Sequence, residues 1–316
     1  ITKERAYTNS GVLSNDPIGL GHVVCASKDR LFFSDPTDPA IVRFTQARRD
    51  GYGPEVAADL STRVVTAPVT ALAVLDDAVL AFSPGAVCYF AGPGPLANPD
   101  LAPQIGFSPP TIITGDVGCI SAKSLAVTAD RLLFQSARGI QQIDRARQVG
   151  YVGAPVEAYN AQRIVSADAV PGKTQVIFLT DDPGGLSLLY DYYFGQWSTF
   201  TNHTGRDATV VGGVYYYLRS TDDRVFRSSA TIYTDGGSEI RLHIETAWIK
   251  LLGYHQGLQK VLRALFLGTY KSPHVLRVRT ATDYRPGFAG YLDLDVDANY
   301  APALYGAGDY GAGLYG

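Results

Sequence analysis

The sequence predicts an all-β chain in which a β-propeller is followed by a smaller β-sandwich-like domain. A strand-turn-strand phrase starts at Asp29, Asp77 and Asp130, at intervals of about 50 residues, and the blades of propellers repeat every 40–50 residues or so. Looser copies follow at Thr174 and Gly213. The chain also holds 33 Gly, 18 Pro and 20 Tyr among its 316 residues, a composition typical of many short strands joined by tight turns.

Four segments are expected along the chain. Residues 1–20 are polar and form a lead-in segment over the first blade, and residues 21–235 form the propeller. Residues 236–300 form an incomplete β domain with longer strands, and residues 301–316 form a Gly/Tyr-rich linker or arm.

Each predicted blade begins with an alternating strand that precedes the repeated hairpin. Residues 69–74 precede Asp77 in this way, and residues 124–128 precede Asp130. Asp side chains can bond nearby backbone, so we expect Asp77 and Asp130 to lie in the turns. The order of strands is the up-and-down order that a blade requires.

The second domain is expected to contain strands at 240–249, 260–268 and 275–283. Residues 258–266 also have the spacing of an amphipathic helix. A strand is favoured there because Gly268 and the turn at 271–273 would form a hairpin with the alternating residues that follow.

Charge, cysteines and hydrophobic runs exclude several classes of protein. A net charge of −3 gives no broad attraction to DNA phosphates or to anionic lipid. Cys25, Cys88 and Cys119 lack the spacing of a disulfide framework or a zinc site and are expected to be small buried apolar residues. The longest apolar candidate for a membrane span, 64–82, is interrupted by two Asp residues. The absence of Met and an end inside a Gly-Tyr phrase predict one segment of a longer polypeptide.

Two motifs resemble catalytic or nucleotide sites but have a simpler explanation. Residues 167–174 match a relaxed phosphate loop, yet the residues that follow predict a strand where such a loop needs a helix. Paired carboxylates at 76–77, 181–182 and 222–223 suggest a glycosidase, but neighbouring residues of a strand point to opposite faces. A pair of carboxylates from different blades stays open.

No catalytic, cofactor-binding or metal-binding residue is predicted, and the chain is predicted not to be an enzyme. The five histidines lack the close spacing of a metal centre; they are His22, His203, His243, His255 and His274. The only site residues that we single out are Tyr305, Tyr310 and Tyr315, whose spacing of five predicts exposed aromatic side chains suited to assembly contacts.

Three stretches resemble the tail nozzle or hub proteins of short-tailed bacteriophages, which are the packaged-DNA stabilisation proteins. The first runs from Ser124 to Asn160 and includes the phrase Ala154-Pro155-Val156-Glu157. The second is 189–198, which ends at Trp197-Ser198, and the third runs from Glu245 to Tyr284. Together they cover about half of the chain.

The resemblance implies a structural virion protein of the tail that carries a β-propeller. Such subunits form a six-fold ring below the portal and adaptor, continue the DNA channel, and hold the genome until ejection. The implied partners are other copies of the chain, the tail adaptor and other tail proteins, and double-stranded DNA that passes without sequence-specific binding. Contact with the host envelope stays open, and no cofactor is implied.

Two other classes of function remain open at this point. A carbohydrate-binding or carbohydrate-processing propeller would use aromatic and carboxylate side chains at the tops of its blades. The repeated Ser-x-Asp-x-Gly-x-x-Trp box of sialidase-type propellers is absent, however, and the chain has only two tryptophans. The third option is a cellular propeller that binds other proteins.

Overall fold

The fold is taken from a computed structural model of the chain. The residues that the structure describes are 21–45, 47, 61–63, 67–94, 106–222, 224–229, 231–232, 234–235, 237–239, 243–245, 274–281 and 290–296. The chain divides into two units, Ile1–Ile240 and Arg241–Gly316.

The first unit contains four consecutive four-stranded antiparallel sheets and a three-stranded one, each made of strands that follow one another in the chain. We name these sheets A to E. Sheet A consists of β1 (Val24–Ser27), β2 (Arg30–Ser34), β3 (Ile41–Phe44) and β4 (Ser61–Arg63), and sheet B of β5 (Ala71–Leu75), β6 (Ala78–Phe82), β7 (Val87–Ala91) and β8 (Thr111–Thr114). Sheet C consists of β9 (Ala126–Val127), β10 (Arg131–Ser136), β11 (Gly139–Asp144) and β12 (Val149–Tyr151).

The remaining strands complete the first unit. Sheet D consists of β13 (Ile164–Val170), β14 (Gln175–Thr180), β15 (Ser187–Asp191) and β16 (Gln196–Phe200), and sheet E of β17 (Gly205–Val211), β18 (Val214–Arg219) and β19 (Val225–Arg227). A short pair, β20 (Thr234–Asp235) with β21 (Ser238–Glu239), follows. Short 3-10 segments occur at Ala122–Ser124, Ala154–Tyr159 and Pro171–Lys173, and the described residues contain no α-helix.

The repeated phrase forms the second and third strands of a blade, as predicted. Asp29, Asp77 and Asp130 lie in the turns that lead into β2, β6 and β10. Lys28 and Asp76 have positive φ values of 52° and 53°, the left-handed conformation that a tight hairpin requires. The turn prediction from Asp spacing is therefore confirmed.

The hydrophobic core lies between successive sheets and not within a single one. Along β6, Val79 and Ala81 pack toward sheet A, while Leu80 and Phe82 pack toward sheet C. Because successive side chains of a strand point to opposite faces, a strand between two sheets buries every residue, and β6 does so from Ala78 to Phe82. The same arrangement joins sheet C to D and sheet D to E.

The first strand of each sheet is its inner strand. Neighbouring inner strands contact each other in the order β1, β5, β9, β13 and β17. Sheets A to D therefore run outward from a shared axial region to a fourth strand, and sheet E to a third, which is the arrangement of propeller blades. The all-β, blade-built prediction is confirmed.

In the described part of the second unit, β22 (His274–Thr280) pairs with β23 (Gly290–Val296) in a hairpin. Residues 243–245 belong to no strand, so the strand predicted at 240–249 is wrong over these residues. Arg277 donates to both carboxylate oxygens of Asp293, across the strands, at 2.6 and 2.7 Å. The strand predicted at 275–283 is thus present and its described neighbour is β23, which the sequence did not indicate. The strand predicted at 260–268, the lead-in 1–20 and the arm 301–316 lie outside the described residues.

Candidate assembly surface

The predicted assembly contacts Tyr305, Tyr310 and Tyr315 lie outside the described residues. Other motifs that the sequence singled out lie in the blades.

The phosphate-loop-like motif is a hairpin turn. β13 ends at Val170, residues Pro171–Lys173 form one 3-10 turn, and β14 begins at Gln175. Thr174 has a φ of 54° and its N–H bonds to the carbonyl of Pro171 at 3.2 Å. No helix follows to direct N–H groups and a positive dipole end at a phosphate. The strand that the sequence predicted here is confirmed.

The described members of the paired carboxylates contact turns and neighbouring blades. Asp76 lies 3.4 Å from Arg145 of the next sheet, and Asp77 lies 3.3 Å from Lys28 of the preceding one. Asp181 accepts the N–H of Arg163 at 3.1 Å. Asp76 and Asp77 therefore contact side chains of neighbouring blades, and not the nearby backbone that the turn interpretation predicted.

His203 and Ser187 form a buried pair between sheets D and E. His203 Nδ1 lies 2.8 Å from Ser187 Oγ, and the imidazole meets the ring of Tyr217 edge-on with centroids 4.1 Å apart. Burial and, secondarily, the charge of Arg219 lower the pKa of His203 to about 4, so the imidazole is neutral at pH 7. Ser187 is completely buried, so a substrate has no access to its hydroxyl. The pair joins two blades.

The other histidines and the cysteines do not form a reactive centre among the described residues. His22 and His243 are exposed, and no group of three metal-ligating side chains occurs in the part of the chain that the structure describes. Burial raises the pKa of Cys88 to about 12 and that of Cys119 to about 11. Hydrogen bonds with Ser124 and Ser121 lower the pKa of Cys119, but by less than burial raises it. Both are buried as predicted, whereas Cys25 is only half-buried.

Two of the stretches that resemble nozzle proteins meet at the joint between sheets C and D. Trp197 donates its Nε1–H to the carbonyl of Val152 at 2.8 Å, and its ring lies on that of Tyr190 with centroids 4.6 Å apart. Val156, from the Ala-Pro-Val-Glu phrase, is buried in the same cluster. The residues that carry the resemblance therefore hold two blades together.

A pair of exposed aromatic side chains marks the turn between β15 and β16. Tyr193 and Phe194 are 74% and 69% exposed, and their rings are edge-to-face with centroids 4.9 Å apart. Asp191 Oδ1 accepts the N–H of Tyr193 at 3.0 Å and that of Phe194 at 3.1 Å, while Gly195 supplies a φ of 67°. We call Tyr193 and Phe194 the aromatic tip.

A cavity of about 440 Å³ lies among the inner strands of the first three sheets, lined by aliphatic side chains and by backbone polar atoms. Its lining includes Val24, Cys25, Ala26, Leu72, Val74 and Val127. Val24 is 66% and Val127 45% exposed, so the cavity is open to solvent. We call it the inner-strand cavity.

The sequence matches no protein-family model and no curated protein. Among solved structures, BamB from Moraxella catarrhalis is similar at 13% identity and a TM-score of 0.42, over 66% of this chain and 57% of that one.

Two further structures show likenesses of the same order. PorZ, a surface component of the type-IX secretion system of Porphyromonas gingivalis, matches at 9% identity and a TM-score of 0.45, over 70% of this chain and 27% of PorZ. A chain of a mitotic checkpoint complex matches at 9% identity and a TM-score of 0.41, over 65% and 60%. At these TM-scores the likenesses carry no argument about this chain. The described residues include no helix that is long and apolar enough to cross a membrane.

Sequence reasoning missed the aromatic tip and the inner-strand cavity for different reasons. The sequence does contain a signal for the aromatic tip, because two adjacent aromatic residues precede Gly195 at a position where a hairpin must turn. The cavity has no such signal, because its wall comes from three segments about 50 residues apart that only the stacking of blades brings together.

Proposed function

We propose that this chain is a subunit of the tail nozzle of a short-tailed bacteriophage. In this role six copies form a ring below the portal and adaptor, continue the DNA channel, retain the packaged genome and conduct it during ejection. The observation that carries the proposal is the joint between sheets C and D, where two of the nozzle-like stretches meet through Trp197 and Val152. The shared phrases thus coincide with a packed structural element.

The character of the blades supports a structural role. Each pair of successive sheets shares a hydrophobic cluster, so the described propeller is a stack of mutually buried blades. The polar clusters described above bond to turns or to neighbouring sheets. A conduit that must hold its form while DNA passes needs rigidity of this kind.

The net charge supports passage of DNA without binding. A protein that neutralises many phosphates gains affinity by releasing counterions, and that affinity would retard a moving duplex. A chain with a net charge of −3 lacks this broad attraction. DNA is accordingly a passenger in the lumen, while other copies and the tail adaptor are the binding partners.

The test is a phage in which a nonsense mutation removes this protein. Particles lacking it should lose packaged DNA, measured as the fraction of the genome that becomes sensitive to added nuclease, or should fail to eject. Supplying the protein from a plasmid should restore both properties. Normal DNA retention and ejection in particles shown to lack the protein would refute the proposal.

A further inference from the structure

The joint between sheets D and E has a smaller apolar core than the other joints of the first unit. Over the described residues, the clusters that join A to B, B to C and C to D contain nine, eleven and nine buried apolar residues, whereas the cluster between D and E contains five. Two of these five are tyrosines, Tyr215 and Tyr217. Because hydrophobic stabilisation scales with the apolar surface removed from water, this joint holds its two sheets together least strongly.

The same joint also buries polar atoms. The hydroxyl of Tyr215 and the Nε atom of Arg219 are buried and have no hydrogen-bond partner in the part of the chain that the structure describes. His203 and Ser187 add a buried polar pair. A buried polar atom without a hydrogen bond gains one from water when its surroundings open, so these atoms make opening of the joint less unfavourable.

Sheet E packs on a neighbouring sheet with one of its faces only, among the described residues. Ala208, Val210 and Phe226 pack toward sheet D. Val211 and Val225 point to the other face and are 62% and 68% exposed. Sheet E therefore has no second core to hold it once the joint with sheet D opens, and three strands without a packed apolar face are not stable in water.

We propose that sheet E separates from sheet D and unfolds as a unit while sheets A to D stay folded, and that acid promotes this opening through His203. The closed joint keeps the imidazole neutral, in contact with Ser187 and beside the charge of Arg219. Opening lets water reach the imidazole, which then binds a proton more readily. The opening belongs to the chain itself and holds whether or not the chain is part of a phage tail.

The other ionisable groups at this joint do not imitate the imidazole. Arg219 stays charged, and Tyr215 and Tyr217 do not titrate below pH 7. Asp168 on β13 acts in the opposite sense, because burial and the charge of Asp207 raise the pKa of its carboxyl. On acidification the closed joint therefore protonates Asp168 before the open joint does, which favours the closed joint. A comparison with a variant that lacks the imidazole separates the two effects.

The test is hydrogen exchange of the full chain, read by mass spectrometry of its peptides and corrected for the intrinsic exchange rate at each pH. The amides of β18 should be at least about tenfold less protected at pH 7 than those of β10, the second strand of sheet C. Between pH 7 and pH 5 the protection of β18 should fall roughly 20-fold more in the wild type than in His203→Gln, which is the factor given by a pKa lowered from 6.5 to about 4. Equal protection of β18 and β10, or equal responses to pH, would overturn the proposal.

A second variant keeps the test decisive if His203→Gln does not fold. Tyr215→Phe removes the hydroxyl that lacks a partner and should raise the protection of β18 about fivefold, with no change in β10. Tyr190→Phe is the matched control, since Tyr190 is a buried tyrosine of the joint between sheets C and D, and this change should not raise the protection of β18. Unchanged or lower protection of β18 in Tyr215→Phe would contradict the proposed opening.

Discussion

His203 shows how a single polar side chain is accommodated between two blades. Its Nδ1 bonds to Ser187, and its ring contacts Tyr217, so the neutral imidazole has both a polar and an aromatic partner. Protonation would place a charge in this buried site beside Arg219, which is why the pKa is lowered to about 4. The sequence could not reveal the pair, because 16 residues and a turn separate the partners and nothing in the local pattern marks them.

Folding stability should fall as the pH drops from about 6.5 to 4, in part because of His203. The unfolded chain binds a proton in that window with a pKa near 6.5, whereas the folded protein binds it only near pH 4. Stability is unaffected by this group above pH 6.5 and is reduced by about 3 kcal/mol at pH 4. The measurement is urea unfolding at both pH values for the wild type and His203→Gln.

The variant should be less stable at pH 7 but should lose about 3 kcal/mol less than the wild type on acidification. His22→Gln, which removes an exposed histidine, is the matched control and should follow the wild type. Equal acid losses in the wild type and His203→Gln would show that the imidazole is not held neutral by its surroundings.

At the scale of the element, the repeated hairpin requires a glycine in one blade and merely tolerates one in another. Gly139 opens β11 with a φ of 102°, which a residue with a Cβ rarely adopts, and a Cβ there would lie 2.6 Å from the side chain of Asn160. Gly85, its counterpart in the phrase of the preceding blade, has no atom within 4 Å of that position and an ordinary φ. The sequence shows Gly at both places and cannot distinguish a required glycine from a tolerated one.

Gly139→Ala should therefore destabilise the protein by about 1–3 kcal/mol, the cost of a side chain in a sparsely populated backbone region. Gly85→Ala should stay within about 0.5 kcal/mol of the wild type, or raise stability slightly by restricting the unfolded chain. Thermal unfolding of both variants provides the comparison. Equal effects from the two changes would contradict the conformational explanation.

At the scale of the whole molecule, the blades were predictable and the surfaces between them were not. Asp29, Asp77 and Asp130 mark hairpins because turn chemistry acts within a few residues. β6 is buried along its whole length because sheets cover both of its faces. The run from Ala78 to Phe82 is uniformly apolar, which is typical of a strand covered on both faces. The inner-strand cavity and the contact of Trp197 with Val152 depend on stacking across about 45 residues or more, beyond the reach of local patterns.

The measurement that tests the proposed tail role most directly is cryo-electron microscopy of purified virions of the short-tailed phage in which we propose that this chain is a nozzle subunit. We expect six copies of the chain in a ring below the adaptor, with the axis of the ring on the DNA channel. Tails that contain no copy of this protein would contradict the proposed function outright.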